Sequence, residues 1–163
     1  MSEMAKNLNL AVHRNDHATL AQLLKSASSA DVNHQHNHPT EKTSHLILAI
    51  KKRYVECARL LLAYPSINVN LADSPGMTAL HIAADEGLAD IAKSLIIDHR
   101  ADVNAKNFSG MTPLVYTAQK GHIDIVRDLL SDSRLQDVNA RDNDLRKTAL
   151  MRACAIAAGS PWH

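Results

Sequence analysis

The stretch from Gly76 to Ala105, GMTALHIAADEGLADIAKSLIIDHRADVNA, constrains the fold more than any other part of the chain. The Thr78 hydroxyl can accept from the free N–H groups of a first helical turn, so this residue reads as an N-cap. Leu80, Ala83 and Ala84 follow at helical spacing and make a narrow stripe of small apolar side chains. Gly87 permits the left-handed conformation that ends a helix. Leu88, Ile91, Ala92, Leu95 and Ile96 then mark a second helix, closed by the turn-prone Asp102-Val103-Asn104. Two helices of about ten residues cannot cover both their faces, and isolated helices this short are marginal in water. The unit therefore requires neighbours of its own kind.

Copies of it run along the chain. Thr112-Pro113-Leu114, Gly121-His122 and Asp137-Val138-Asn139 repeat the pattern; Leu80 and Leu114 stand 34 residues apart, as do Ala49 and Ala83. In a worn first copy Leu8, Leu10 and Ala11 match Leu80, Ile82 and Ala83, Leu20, Leu23 and Leu24 supply the second helix, and Asn15 replaces Gly87. Asparagine tolerates the left-handed region better than other non-glycines. In the second copy Ser44 caps, Leu46, Ala49, Ile50, Cys57, Ala58, Leu61 and Leu62 face the core, and Pro65 ends the second helix. Arg53 takes the glycine position there, which predicts a strained or reshaped turn. The fourth copy has Pro113 at the first helical position and Leu114, Ala118, Ile125, Val126, Leu129 and Leu130 in the core. A fifth begins with Thr148-Ala149-Leu150 and Ala153-Cys154 but shows no second helix, and Ala157, Ala158 and Gly159 imply a lengthened loop. The expectation is a fragment, or a parent chain continuing past His163, with the apolar layer around Leu129, Leu150 and Ala153 poorly covered.

The motifs TALHIAADEG, TPLVYTAQKGH, ADVNA and DVNA resemble the ankyrin-repeat family, whose unit is a turn followed by two helices. The resemblance implies an all-α ankyrin-repeat solenoid with short β-hairpin-like turns, one domain over 1–163. Its four repeats would lie at about 5–33, 41–70, 74–104 and 108–139, with an incomplete fifth at 144–163. In the family a histidine three residues after the capping threonine bonds to it, which gives His81 a structural role. The family also places glycine just before Ala-Asp-Val-Asn. Here that residue is Arg100, and no copy keeps the glycine. A retained left-handed conformation would cost about 1–2 kcal/mol at each such site; the alternative is altered helix ends.

Bulk properties exclude several classes. The formal net charge is +1, so neither nucleic acid nor a membrane surface is expected as a partner; aromatic residues are only 3% of the chain. Thin leucine and alanine layers do not need the rings that a single large core would use. Cys57 and Cys154 fall on apolar helix positions and are expected to be buried and reduced, as in a cytoplasmic compartment. The opening MSEMAKNLNLAVHRNDH lacks the apolar run of a signal peptide, and no stretch reaches the roughly 20 apolar residues of a membrane helix. His34, His36 and His38 alternate in the turn HQHNHPTEK, but zinc takes four ligands and spacing offers no others, so a solvated loop is expected and no metal. Asp85-Glu86 reads as a solvated acidic pair on an exposed helix end. No phosphate loop, nucleophile arrangement or cofactor motif is present; no enzyme and no cofactor is expected.

Partner binding remains. The resemblance implies that another protein binds a monomer along the concave face, at hairpin tips and first-helix ends. The tips supply Leu71, Ser74, Pro75 and Met77; Lys106, Phe108, Ser109 and Met111; and Arg141, Asp144, Leu145 and Lys147. The helix ends supply Lys51 and Lys52, then Asp85 and Glu86, then Tyr116, Gln119 and Lys120. Their signs alternate along the groove, which fits a partner of mixed charge as well as ordinary surface variation. Phe108, the single phenylalanine, is the expected anchor. The family also implies asparagine hydroxylation at Asn70, Asn104 and Asn139. A competing class is the substrate-recruiting arm of a larger enzyme or secreted bacterial effector, with its catalytic part beyond His163.

Overall fold

The computed structural model describes residues 2–38, 41–98, 100–143 and 145–157. Its helices come in pairs: α1 (Glu3–His13) with α2 (His17–Leu24) and a short α3 (Ser29–Val32); α4 (His45–Lys51) with α5 (Val55–Leu62); α6 (Ala79–Glu86) with α7 (Ala89–Ile97); α8 (Pro113–Lys120) with α9 (Ile123–Leu130). α10 (Ala149–Ala157) has no second helix among the described residues. The first helices α1, α4, α6, α8 and α10 pack in that order, and α2, α5, α7 and α9 pack in theirs. The chain is thus a two-layered stack in which each helix pair rests on the next. Leu8, Leu20, Leu46, Ile50, Leu61, Leu80, Ile91, Leu95, Ile125 and Leu129 are fully buried within it.

Local chemistry starts and stops these helices. Ser2, Asp16 and Ser44 cap α1, α2 and α4 by accepting from Ala5, Thr19 and Ile47 N–H. Pro113 opens α8, where its missing N–H is harmless. The first helices α1, α4, α6 and α8 end alike. Asn15, Arg53, Gly87 and Gly121 have φ of 54°, 59°, 67° and 76°. The next residue then bonds back over the turn: Asp16 N–H to Ala11, Tyr54 to Ala49, Leu88 to Ala83 and His122 to Thr117. The Arg53 turn is therefore strained and not reshaped. Its guanidinium donates to the Glu86 carbonyl at 3.1 Å and the Glu86 carboxylate at 3.0 Å, a bond to the next layer that glycine could not make.

The second helices end differently. Lys25, Ala63 and Ser131 are right-handed and Asp98 is extended, so the altered ends foreseen from the missing glycine are what the fold adopts. An arginine fork takes over. Arg100 donates to the carbonyls of Leu62 at 3.3 Å and Pro65 at 2.7 Å, at the end of α5, and is held by Asp98 at 2.7 Å. Arg134 does the same one layer on, donating to Ala101 at 2.8 Å and to Ile96, and held by Asp132 at 2.6 Å. Between the layers runs an asparagine ladder. Asn33, Asn70 and Asn104 each donate their amide to the carbonyl of Ser66, Arg100 or Arg134. Each also accepts from the N–H of Asn68, Asp102 or Gln136.

Four expectations need correction. The segment around His36 is not a loop but an antiparallel hairpin, β1 (Gln35–His38) with β2 (Glu41–Ser44), in the register Gln35↔Ser44 to His38↔Glu41. Leu10 is 46% exposed. It stands where Tyr116 and Arg152 reach back to the preceding layer, and no layer precedes α1 among the described residues. Leu130, matched to buried Ile96, is exposed because no second helix follows α9 among those residues. Cys154 is exposed for the same reason, while Cys57 is buried as expected. The loop expected to begin at Ala157 does not begin there, since α10 runs through that residue, and Ala158 and Gly159 lie outside the described residues.

Two outcomes follow from these contacts. Arg134→Ala should lower the unfolding free energy by about 2 kcal/mol, since it strands helix-end carbonyls and the Asp132 charge, and Arg134→Lys should not restore it; the urea midpoint measures this. A thiol reagent should modify Cys154 alone in the folded protein and both cysteines after denaturation.

Candidate protein-binding surface

The tips at 71–77, 106–111 and 141–147 are each built on one buried Asx side chain. The Asp73 carboxylate accepts from Met77 N–H at 2.8 Å. The Asn107 carbonyl oxygen accepts from Ser109 at 3.0 Å and Met111 at 2.9 Å. The Asp142 carboxylate accepts from Leu145 at 2.9 Å and Lys147 at 3.3 Å. Where the organiser is charged, a cation meets it: Lys51 lies 3.0 Å from Asp73, and Arg152 donates to Asp142 at 3.0 Å. Where it is neutral, its amide donates to the Tyr116 hydroxyl at 3.1 Å. Burial pushes the Asp142 carboxyl up, but Arg152 and the two tip N–H groups outweigh it and hold the group below the usual carboxylate range.

Neighbouring tips are joined. Phe108 N–H donates to the Pro75 carbonyl at 3.1 Å and Asn143 N–H to the Ser109 carbonyl at 2.8 Å. Gly76 and Gly110 turn with φ of 82° and 72° beneath them. A Cβ at Gly76 would lie 2.7 Å from the Phe108 ring, and one at Gly110 would lie 2.5 Å from the Asn143 amide oxygen. Phe108 therefore rests one edge on the previous tip yet stays 76% exposed.

The first-helix ends are largely occupied with one another. Lys120 pairs with Asp85 at 3.1 Å, Arg53 with Glu86 at 3.0 Å, and Arg152 donates to Gln119 at 2.9 Å. The alternation of sign along this face thus closes on itself, layer to layer, and Asp85-Glu86 is ion-paired, not merely solvated. Tyr116 is half-buried, its ring edge-on to His81 with centroids 6.0 Å apart and its hydroxyl 3.8 Å from the Met77 sulfur. Burial raises its pKa.

Of the residues foreseen from the sequence, Lys52, Ser74, Pro75, Lys106, Phe108, Lys120, Arg141 and Leu145 are exposed. Lys51, Leu71, Met77, Asp85, Glu86, Ser109, Tyr116, Gln119 and Lys147 are half-buried. Met111 is 8% exposed and belongs to the core, a correction: it follows the Gly110 turn, and its N–H is drawn in by Asn107. Asp144 lies outside the described residues. Sequence reasoning missed Arg146. It stands two residues before Thr148, as Gly76 and Gly110 stand before Thr78 and Thr112, and it keeps their left-handed turn with φ 54°; aligning the tips on those threonines would have found it.

Two histidines are structural. His81 Nδ1 accepts from Thr78 N–H at 3.2 Å and lies 2.9 Å from its hydroxyl, which leaves the proton on Nε2 to donate to the Met111 carbonyl at 3.0 Å. His45 is wholly buried, with Nδ1 3.0 Å from the Val32 carbonyl and Nε2 3.2 Å from the Ala5 carbonyl and 3.1 Å from His36 Nε2. His34 stacks edge-on against His36 in turn. Among the described residues no group of three or more side chains is placed to hold a metal; the His38 side chain is not among them.

Burial, and then the nearby His45, His34 and His13, lowers the His36 pKa to about 4. Burial also lowers His45, against the Val32 and Ala5 carbonyls and Asp31. The unfolded chain, with histidine near 6.5, binds protons more readily, so stability is complete above that pH and is lost as pH falls from 6.5 toward 4. Urea unfolding should show a lower midpoint at about pH 5 than at about pH 7.5, with a shallower dependence in His36→Gln.

A stack of helix pairs, tied by a ladder of asparagines and presenting joined hairpin tips, defines a helical repeat protein. The sequence model described as ankyrin repeats, three copies, matches residues 8–107 and again 102–159. The chain belongs to the ankyrin-repeat family. No curated protein matches it. Ankyrin repeats are generally protein-interaction modules and are typically non-catalytic. No helix among the described residues is long and apolar enough to cross a membrane.

Proposed function

We propose that this chain is a monomeric, non-catalytic adaptor that binds a partner protein along its joined hairpin tips and concave face, with four ankyrin repeats and an incomplete fifth in the divisions given above. The observation that carries the reading is the exposure of Phe108 on a rigid tip. A large ring held out by backbone bonds on both sides, with Pro75 and Leu145 exposed on the neighbouring tips, is the form a binding anchor takes. The internal pairing of Lys51, Asp85, Glu86 and Lys120 shifts the expected energy of binding from the helix ends to the tips, because a charge already paired gains little from a second partner.

For the asparagine modification expected of the family, we propose Asn139 before Asn70 and Asn104. The latter two use both ends of their amides to hold the next layer, and the Asn139 side chain has no such bond among the described residues.

The test is selection of linear peptides from a displayed random library on the full chain, with Phe108→Ala as the control. Phe108→Ala should leave the melting temperature nearly unchanged and weaken the selected binders by about 1–3 kcal/mol. A drop in stability with affinity intact would show that the ring serves packing, and would end the anchor reading.

A further inference from the structure

Lys106, Arg141 and Arg146, on the last two tips, meet no acid among the described residues. The acids near the tips and helix ends are taken: Asp73 by Lys51, Asp85 by Lys120, Glu86 by Arg53 and Asp142 by Arg152. Lys147 is engaged as well. Lys106, Arg141 and Arg146 are exposed. Arg141 donates to the Arg146 carbonyl at 3.3 Å, and the side chains of Lys106 and Arg146 make no hydrogen bond or ion pair among the described residues. Asp144, outside those residues, still leaves cations in excess.

Arg146 is the informative member. Among the described residues three non-glycines hold a left-handed backbone, and two of them use the side chain within the fold. Asn15 accepts from the Cys57 thiol, and Arg53 bridges to Glu86. Arg146 carries the same backbone strain with no internal return. Glycine is obligatory at Gly76 and Gly110 because the next tip lies over them. No tip covers Arg146 among the described residues, so a side chain fits there, but the left-handed penalty remains. The Arg146 side chain is left exposed at the surface. It stands beside Arg141 and Leu145, on a tip that bonds directly to Ser109 next to Phe108.

Resting on the protein-binding reading above, we propose that the tips carrying Phe108, Arg141, Leu145 and Arg146 bind a linear peptide segment of a partner protein rich in Asp or Glu with interspersed large apolar residues. Planar guanidiniums take carboxylates in paired hydrogen bonds, and Lys106 adds a third positive site. Phe108 and Leu145 supply apolar contact between the charges. Phosphates would satisfy the same guanidiniums, but with a formal net charge of +1 the molecule lacks the broad positive field that draws nucleic acid.

The experiment sequences the library binders described above and measures the best of them, as a labelled synthetic peptide, by fluorescence anisotropy. Acidic and apolar residues should be enriched together, and affinity should fall as salt is raised. The Arg141→Glu, Arg146→Glu double variant should weaken binding about tenfold or more. Arg146→Gly should bind more weakly while melting at the same or a higher temperature, which a purely structural residue would not do. Binders that need Phe108 but show no acidic enrichment overturn this inference and leave the protein-binding reading standing. Binders indifferent to every tip residue, or no binders at all, overturn both. A single-stranded oligonucleotide that outcompetes the peptide assigns the cations to phosphate and overturns the inference.

Discussion

The early layers of this protein leave polar backbone atoms that the next layer satisfies. An α-helix ends with unpaired carbonyls, and helices of this length have little else to stabilise them alone. Arg100 reaches from the third layer to close the end of α5, and Arg134 reaches from the fourth to close α7. Asn33, Asn70 and Asn104 bond the loops from one layer to the next, and His81 spans to Met111. These bonds run parallel to the apolar contacts between leucine and alanine stripes. Stability is therefore held mainly at interfaces between units, as in other repeat stacks, and a defect in one layer is felt by its neighbour.

The same dependence decides which surface is left for binding. Charges on the helix ends that look free in one layer are answered in the next, so Asp85 and Glu86 are held by Lys120 and Arg53. At the tips the pairing follows the organiser. A carboxylate at Asp73 or Asp142 meets a cation, and the amide at Asn107 meets a phenol. What escapes internal pairing is the outer rim of the last tips, where Phe108, Arg141, Leu145 and Arg146 face solvent. A rigid scaffold with a small unspent rim can bind without rearranging, which keeps the entropic cost of association low.

The periodicity of Leu80, Ala83, Leu95 and their counterparts was enough to establish paired helices and the need for stacking, because small apolar stripes have no stable isolated state. The caps were legible too: Ser44, Pro113, Gly87 and Asn15 act through a few neighbouring residues, and local chemistry of that kind is written in order along the chain. Not legible were the environments set by what lies about one repeat away. Leu10, Leu130 and Cys154 carry core-like patterns but are exposed, since burial depends on a neighbouring layer and not on the residue itself. Met111 failed in the opposite direction, drawn inward by Asn107. The hairpin at His36 was hidden because its polar residues pair through backbone.

The amino-acid sequence by itself determined the repeating unit, the turns that end the first helices and the family, because each follows from spacing within some thirty residues. Tertiary structure alone decided the arginine forks, the pairing of charges between layers and the asparagine ladder. Those depend on side chains of one unit meeting carbonyls and carboxylates of another, and a distance in space of a few ångströms has no counterpart in a distance along the chain.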